Sequence, residues 1–242
     1  MGSEMCIRDR ELEKEGYTLV IKEFSDYTTI NDALQQGELD ANFFQHIKYL
    51  DGYNKDKGNK KDADDTLVVV GLVHFEPLGI YADEPNGRTT VSLDDLKEGD
   101  IITVPNDATN EARALLLLEE YGIIELKEGA SYLATKKDIV SNPKNIVIKE
   151  LDASRVPASL KDDNVVFGVV NGNYALEAGI IDKVICTESV DSEAAEVYTN
   201  VLVVRQENKD DEGIKKLVEI LKSEKIKNYI ETEFDGVVIP AK

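Results

Sequence analysis

The stretch "DANFFQHIKYLDGYN" (residues 40–54) gathers two phenylalanines, two tyrosines and one of the chain's two histidines, in a protein without tryptophan. An imidazole among rings can ligate a metal, act as a general base, fill a core or wall a ligand pocket. Read as a helix over 43–53, the segment places Phe43, Ile47 and Leu50 on a core-facing stripe. His46, Tyr49 and Tyr53 then form a second face of rings with polar tips. Such a face suits a half-buried pocket wall. An exposed aromatic edge with a satisfied histidine fits the same pattern.

Two further constellations carry polar chemistry. In "VPNDATNEARALLLL" (104–118) a strand ends, Pro105 turns the chain, and Asp107 or Thr109 can cap the helix that follows. The first turn of that helix has free N–H groups and the positive end of the dipole. Arg113 sits one turn in, with Asn106 and Asn110 beside it, and a guanidinium fork there can hold a carboxylate. An exposed arginine paired with Glu111 or another surface acid is the competing reading. In "VVNGNYALEAG" (169–179) a buried strand runs into Asn171, whose amide can point a donor and an acceptor into a cleft or serve as a plain Asx turn or cap. Asn200, inside the apolar run "YTNVLVV", requires a partner or a ligand.

Other chemistries are poorly served. No phosphate-cradling, dinucleotide-binding or nucleophile-elbow motif occurs, and no cofactor signature is present. With His46 and His74 the only histidines, a multi-histidine metal site within one chain is impossible, and abundant carboxylates alone supply no ligand geometry for a mixed one. A formal charge of −20 over 242 residues argues against nucleic acid and against docking on an anionic membrane. Cys6 and Cys186 define neither a disulfide framework nor a metal spacing. No apolar run could span a bilayer, and "MGSEMCIRDRELEKEG" lacks the apolar region of a signal peptide.

The elements that must position these residues alternate between strand-like and helix-like, which favours an α/β sheet architecture. Strands are expected at 17–24, within 67–82, and at 101–106, 145–151, 165–171 and 198–205. Helices are expected at 27–39, closing near Gly37, at 43–53, at 92–100, at 108–123, ending at Gly122, and as one amphipathic segment over 211–234. Residues 54–66 and 83–90 read as loops. The break after 82 and the late strand suggest two lobes: 1–81 with 201–242, and 82–200, hinged near 76–82 and 198–205.

"EFSDYTTINDAL", "GELDANFFQHIKYLD", "VPNDATNEARALLLLE", "NPKNIVIKELDAS", "NGNYALEAG", "YTNVLVVR" and "GVVIPA" together resemble, in order, successive motifs of the NlpA-type methionine-binding lipoproteins. These are the substrate-binding components of bacterial methionine ABC importers. The resemblance covers most of residues 17–242. It implies a two-lobed, type II periplasmic-binding-protein-like α/β fold with the ligand cleft between lobes, no cofactor, no metal and no catalysis. It implies further that Arg113 holds the carboxylate of L-methionine or a close derivative, with Asn110 nearby, and that Asn171 and Asn200 orient the amino-acid backbone. Tyr27, Phe44, His46 and Tyr49 would surround the thioether. The partner would be an ABC permease, and the native full-length form an extracytoplasmic lipoprotein of the cell envelope, tethered through a lipid anchor absent from this chain. Other apolar amino acids or Met-containing dipeptides are alternative ligands, and an enzyme using His46 as general base is the rival of another class. Against the family pattern, the signal, the lipidated cysteine and the first strand are missing or replaced by "MGSEMCIRDR", and "DSEAAEVYTN" is a longer approach to the last strand.

Overall fold

The computed structural model describes residues 11–60, 63–83, 92–190, 195, 197–234 and 236–241. Expectations for "MGSEMCIRDR", for most of "DEPNGRTT" and for the start of "DSEAAEVYTN" fall outside the described residues. The chain divides into two compact units, Met1–Glu76 with Ala195–Lys242, and Pro77–Ala194.

The first unit is built on an antiparallel sheet in the order β1 (Ala41–His46), β10 (Thr199–Arg205), β2 (Leu67–Phe75) and β11 (Ile239–Pro240). Its central strand β10 shows why the run "NVLVV" is continuously apolar. Successive side chains point to opposite faces, and both faces are covered. Val201 and Val203 pack with Leu34 of α1 (Ile30–Gln35) and Leu50 of α2 (Ile47–Lys57). Leu202 packs instead with Leu217 and Leu221 of α6 (Glu212–Leu221). The segment after α6 is a second helix, α7 (Glu224–Phe234), rather than a continuation. Ser223 supplies the break: its hydroxyl accepts from the Ile226 N–H, as an N-cap does.

Two further sequence expectations fail in this unit. Residues 17–24 form no strand; Val20 is 80% exposed, and alternation without a neighbouring edge to bond has nothing to stabilise it. The expected helix over 43–53 is instead the end of β1 followed by α2. Asn42 and Gln45 hold the strand half, because their side chains close a buried amide cluster with Asn31 (Gln45 Nε2 to Asn31 Oδ1, 2.6 Å; Asn42 Nδ2 to Asn31 Oδ1, 2.9 Å). The expected face of His46, Tyr49 and Tyr53 is therefore broken. Tyr53 turns away, its hydroxyl lying 2.7 Å from both Asp32 Oδ1 and Gln35 Oε1, either of which can accept its proton.

The second unit carries a mixed sheet in the order β7 (Val147–Leu151), β4 (Ile101–Pro105), β8 (Val165–Val170), β3 (Gly79–Tyr81), β9 (Val184–Thr187). β4 runs parallel to β7 and β8, and β3 runs antiparallel to β8 and β9. Every residue of β8 is buried. Helix α3 (Ala108–Glu120) lays Leu115 and Leu118 on the core formed by Ile80, Ile102, Val104, Phe167 and Val169. It ends just before Gly122, whose φ of 68° a side chain would resist. A two-stranded ribbon of β5 (Glu125–Leu126) and β6 (Ile139–Ser141), a short helix α4 (Val156–Ser159) and α5 (Gly172–Glu177) complete the described elements used below. Because β3 bonds to β8 and β9, the chain passes between units at 76/77 and again at 194/195, a few residues ahead of the boundaries read from the sequence.

Gly168 in β8 is required by close packing. A Cβ there would stand 3.1 Å from Leu160 Cδ2, Thr103 Oγ1 and Val156 Cγ1. Gly168→Val is expected to destabilise the protein by about 1–3 kcal/mol, seen as a lower urea midpoint with an unchanged m-value.

Candidate functional site

The first unit brings the expected aromatic residues together. The Tyr27 ring lies 5.7 Å from that of Phe44 and 6.2 Å from that of Tyr49, and Phe44 and Tyr49 are 5.7 Å apart. His46 meets Tyr49 at 6.4 Å and Tyr198, a residue the sequence reading did not assign, at 4.9 Å. Tyr49 Oη donates to the Tyr27 carbonyl at 3.2 Å, which ties the loop before α1 to the start of α2. His46 is the last residue of β1 and the N-cap of α2, where its Nδ1 accepts the Tyr49 N–H at 3.1 Å. That bond places the neutral ring's proton on Nε2 and gives the histidine a structural duty that a general base could not share through the same nitrogen.

Asn200 belongs to the same sheet row. It pairs with His46 on one side and with His74 of β2 on the other. Its Nδ2 lies 3.3 Å from His74 Nε2, which also meets Glu76 Oε1 at 2.7 Å. The amide that looked anomalous among valines thus has a histidine and, through it, a carboxylate as company.

The second unit holds the other three expected residues on two strand-to-helix junctions. Asp107 is the N-cap of α3, its Oδ1 accepting from the Asn110 N–H at 3.1 Å. The Asn110 side-chain amide also donates to both Asp107 oxygens at 3.0 Å. Burial pushes the Asp107 carboxyl above its ordinary value, against the lowering effect of these donors. Asn171 Nδ2 donates to Asn110 Oδ1 at 3.0 Å. Although Asn171 occupies the N-cap position of α5, its side chain makes no cap bond, so the plain-cap reading does not hold. Asn106 is turned outward to Asp152, 3.0 Å away.

Arg113 is 3% exposed, and it pairs with a buried acid, Glu188. Nε donates to Glu188 Oε1 at 2.7 Å and Nη2 to Oε2 at 2.5 Å, with Glu188 itself 4% exposed. Glu188 Oε2 also accepts the Leu78 N–H at 2.8 Å, and the Glu188 N–H donates to the Leu78 carbonyl at 3.0 Å. Sequence reasoning missed Glu188 because 75 positions separate it from Arg113 and no local pattern links them. The second histidine, His74, was passed over for want of a neighbouring motif.

Among solved structures, the fold is similar to a nutrient-binding protein from Burkholderia cenocepacia bound to methionine (TM-score 0.87, 39% identity, covering 100% of this chain and 95% of that one). Two α/β units with the chain passing between them twice, together with this likeness, define a periplasmic-binding-protein-like fold. Residues 4–242 match the family model of the NlpA lipoproteins, and the chain belongs to that family. The family is one of substrate-binding lipoproteins, not of enzymes, which removes the general-base role for His46. Curated relatives include the D-methionine-binding lipoprotein MetQ of Salmonella typhi, 41% identical over 93% of this chain and 78% of its own length. The methionine-binding lipoprotein MetQ of Bacillus subtilis (strain 168) is 39% identical over 95% of this chain and 80% of its own length. No helix among the described residues is long and apolar enough to cross a membrane.

Removing Glu188 alone leaves a buried guanidinium without its counter-charge. Glu188→Ala is expected to lose about 3–5 kcal/mol of stability, measured by urea unfolding. The double variant Arg113→Met/Glu188→Leu should recover most of that loss, since it removes both buried charges together.

Proposed function

We propose that the protein is an extracytoplasmic lipoprotein that binds methionine and delivers it to the permease of an ABC importer. The cluster of Tyr27, Phe44, His46 and Tyr49 carries the reading. These rings meet one another edge-on or tilted, and backbone bonds to Tyr49 Oη and His46 Nδ1 hold two of them in place, so they offer a fixed, largely apolar surface. Polarizable thioether sulfur is attracted to such ring edges. The names of the relatives, and the methionine in the Burkholderia structure, support the same ligand class.

Arg113 would hold the ligand carboxylate, with Asn110 nearby, and Asn171 and Asn200 would orient the polar atoms of the amino-acid backbone. A guanidinium carries five N–H donors, more than a single bidentate carboxylate takes up, so pairing with Glu188 is compatible with a second carboxylate. The pair is close to neutral as a whole. Selection of a carboxylate by Arg113 would therefore come from directed donors more than from net charge.

The test is calorimetry on protein unfolded and refolded to strip bound ligand, with L- and D-methionine, other apolar amino acids and Met-containing dipeptides as titrants. Methionine is expected to bind, and Arg113→Ala to weaken it by about 100-fold or more. Failure of both methionine enantiomers at millimolar concentration, with binding of another titrant, would overturn the assignment; the difference between enantiomers reads the stereochemical preference directly.

A further inference from the structure

We propose that Asp107 is a positioning residue that sets the polarity of a side-chain relay, Asp107–Asn110–Asn171, so that Asn171 presents an acceptor oxygen to the α-ammonium group of the bound amino acid. The inference rests on the amino-acid reading above and specifies which ligand group Asn171 reads, and why.

A primary amide has an accepting end and a donating end, and rotation by half a turn exchanges them. Its orientation in a buried site is decided by whichever neighbour can play only one role. In this relay that neighbour is Asp107. Both of its oxygens receive the Asn110 side-chain amide at 3.0 Å, Oδ1 also takes the Asn110 backbone N–H at 3.1 Å, and Thr109 Oγ1 donates to Oδ1 at 3.2 Å. A carboxylate accepts and does not donate, so the NH2 of Asn110 must face Asp107. Asn110 Oδ1 then faces the other way and accepts from Asn171 Nδ2 at 3.0 Å. One of the two N–H donors of Asn171 is thereby engaged, which fixes the amide with its oxygen turned away from Asn110 and leaves that oxygen as the acceptor it offers a ligand.

That oxygen is the end of the relay. Asn171 is 8% exposed, and its Oδ1 is buried with no hydrogen-bond partner among the described residues. A buried acceptor left unmade is unfavourable, and the side chain does not relieve it by capping α5. A ligand N–H satisfies it, and an ammonium group does so with the added strength of a charged donor. A carboxylate at the same place would meet an oxygen and be repelled. The relay thus orients the zwitterion: ammonium toward Asn171, with the carboxylate left to Arg113.

Replacing Asp107 by Asn substitutes a residue that can donate or accept. The relay then has two orientations, and Asn171 offers either its oxygen or its NH2. Calorimetry, with competition for weak binders, would compare methionine with two probes that keep the thioether and carboxylate: 4-(methylthio)butanoate, which lacks the amine, and 2-hydroxy-4-(methylthio)butanoate, whose hydroxyl can donate or accept. Wild-type protein should prefer methionine to the des-amino probe by about 100-fold or more. Asp107→Asn should weaken methionine by about 10- to 100-fold while changing either probe by less than about 3-fold, so that the preference collapses. Asp107→Ser keeps a capping oxygen for α3 without a carboxylate and must show the same collapse, with thermal unfolding confirming that each variant is folded. A parallel loss for all three ligands, a preference unchanged in either variant, or a wild-type protein indifferent to the amine would overturn the relay. A wild-type protein that binds no methionine would overturn the amino-acid reading itself, and this inference with it.

Discussion

The second unit depends on one buried pair of charges. Moving a guanidinium and a carboxylate out of water costs several kcal/mol for each ion even after relaxation, and their attraction offsets this only with good geometry and further hydrogen bonds. Arg113 and Glu188 meet both conditions, through two parallel bonds and the backbone N–H of Leu78. Leu78 follows directly on the point where the chain enters this unit, and Glu188 stands shortly before it leaves. The reciprocal bond from the Glu188 N–H to the Leu78 carbonyl continues the β3–β9 pairing by one more step. A single acidic residue therefore locks the first and last strands of the unit together and fixes the guanidinium of α3 against both.

Near-neutrality of that pair suits the ligand class. The chain carries a formal charge of −20, a field that opposes an anionic ligand at long range. A zwitterionic amino acid has no net charge and feels little of it, and screening confines the rest to about 8 Å at physiological ionic strength. Recognition then falls to short-range, directional groups. Those are what the two units contain: a fork, an amide pair oriented by a carboxylate, a third amide beside a histidine, and rings that meet edge-on or tilted.

Strands were legible where burial on both faces wrote a continuous apolar run, as in "VVFGVV" and "NVLVV", because no competing element reads that way at that length. Helix α3 was legible from its cap and its closing glycine. The segment 43–53 misled because a wheel assigns faces to any stretch, and because His46 is not one of the usual capping residues that mark a strand-to-helix change. Residues 17–24 show that alternation describes a strand without creating the partner it needs. Ser223 was a visible signal for the break between α6 and α7, overlooked because the apolar spacing runs smoothly across it. The proposed site residues were read as motif positions; in the structure the rings of Tyr27, Phe44, His46 and Tyr49 meet in the first unit, and Asn110 and Asn171 bond in the second. Their supporting partners, Glu188 for Arg113 and His74 with Glu76 for Asn200, were not legible, since a contact across 75 or 126 positions leaves no mark on local pattern.

Two of the proposed ligand-reading residues and the positioning residue Asp107 share a location that explains why these types recur there. His46 ends β1 and caps α2, Asp107 follows β4 and caps α3, and Asn171 follows β8 at the N-cap of α5. A strand fixes the backbone up to its last residue, while the first turn of the next helix still has N–H groups seeking acceptors. A polar side chain at such a junction can either cap the helix or turn outward to something else. His46 and Asp107 cap, and by doing so hold Tyr49 and Asn110, each three residues on, in place. Asn171 does not cap, and its amide is held by Asn110 instead. The carboxyl ends of strands are where open α/β sheets place their ligands. In this protein the same junctions supply both the residues that would touch the ligand and the caps that keep those residues rigid, so a change at a cap should alter recognition before it alters the fold.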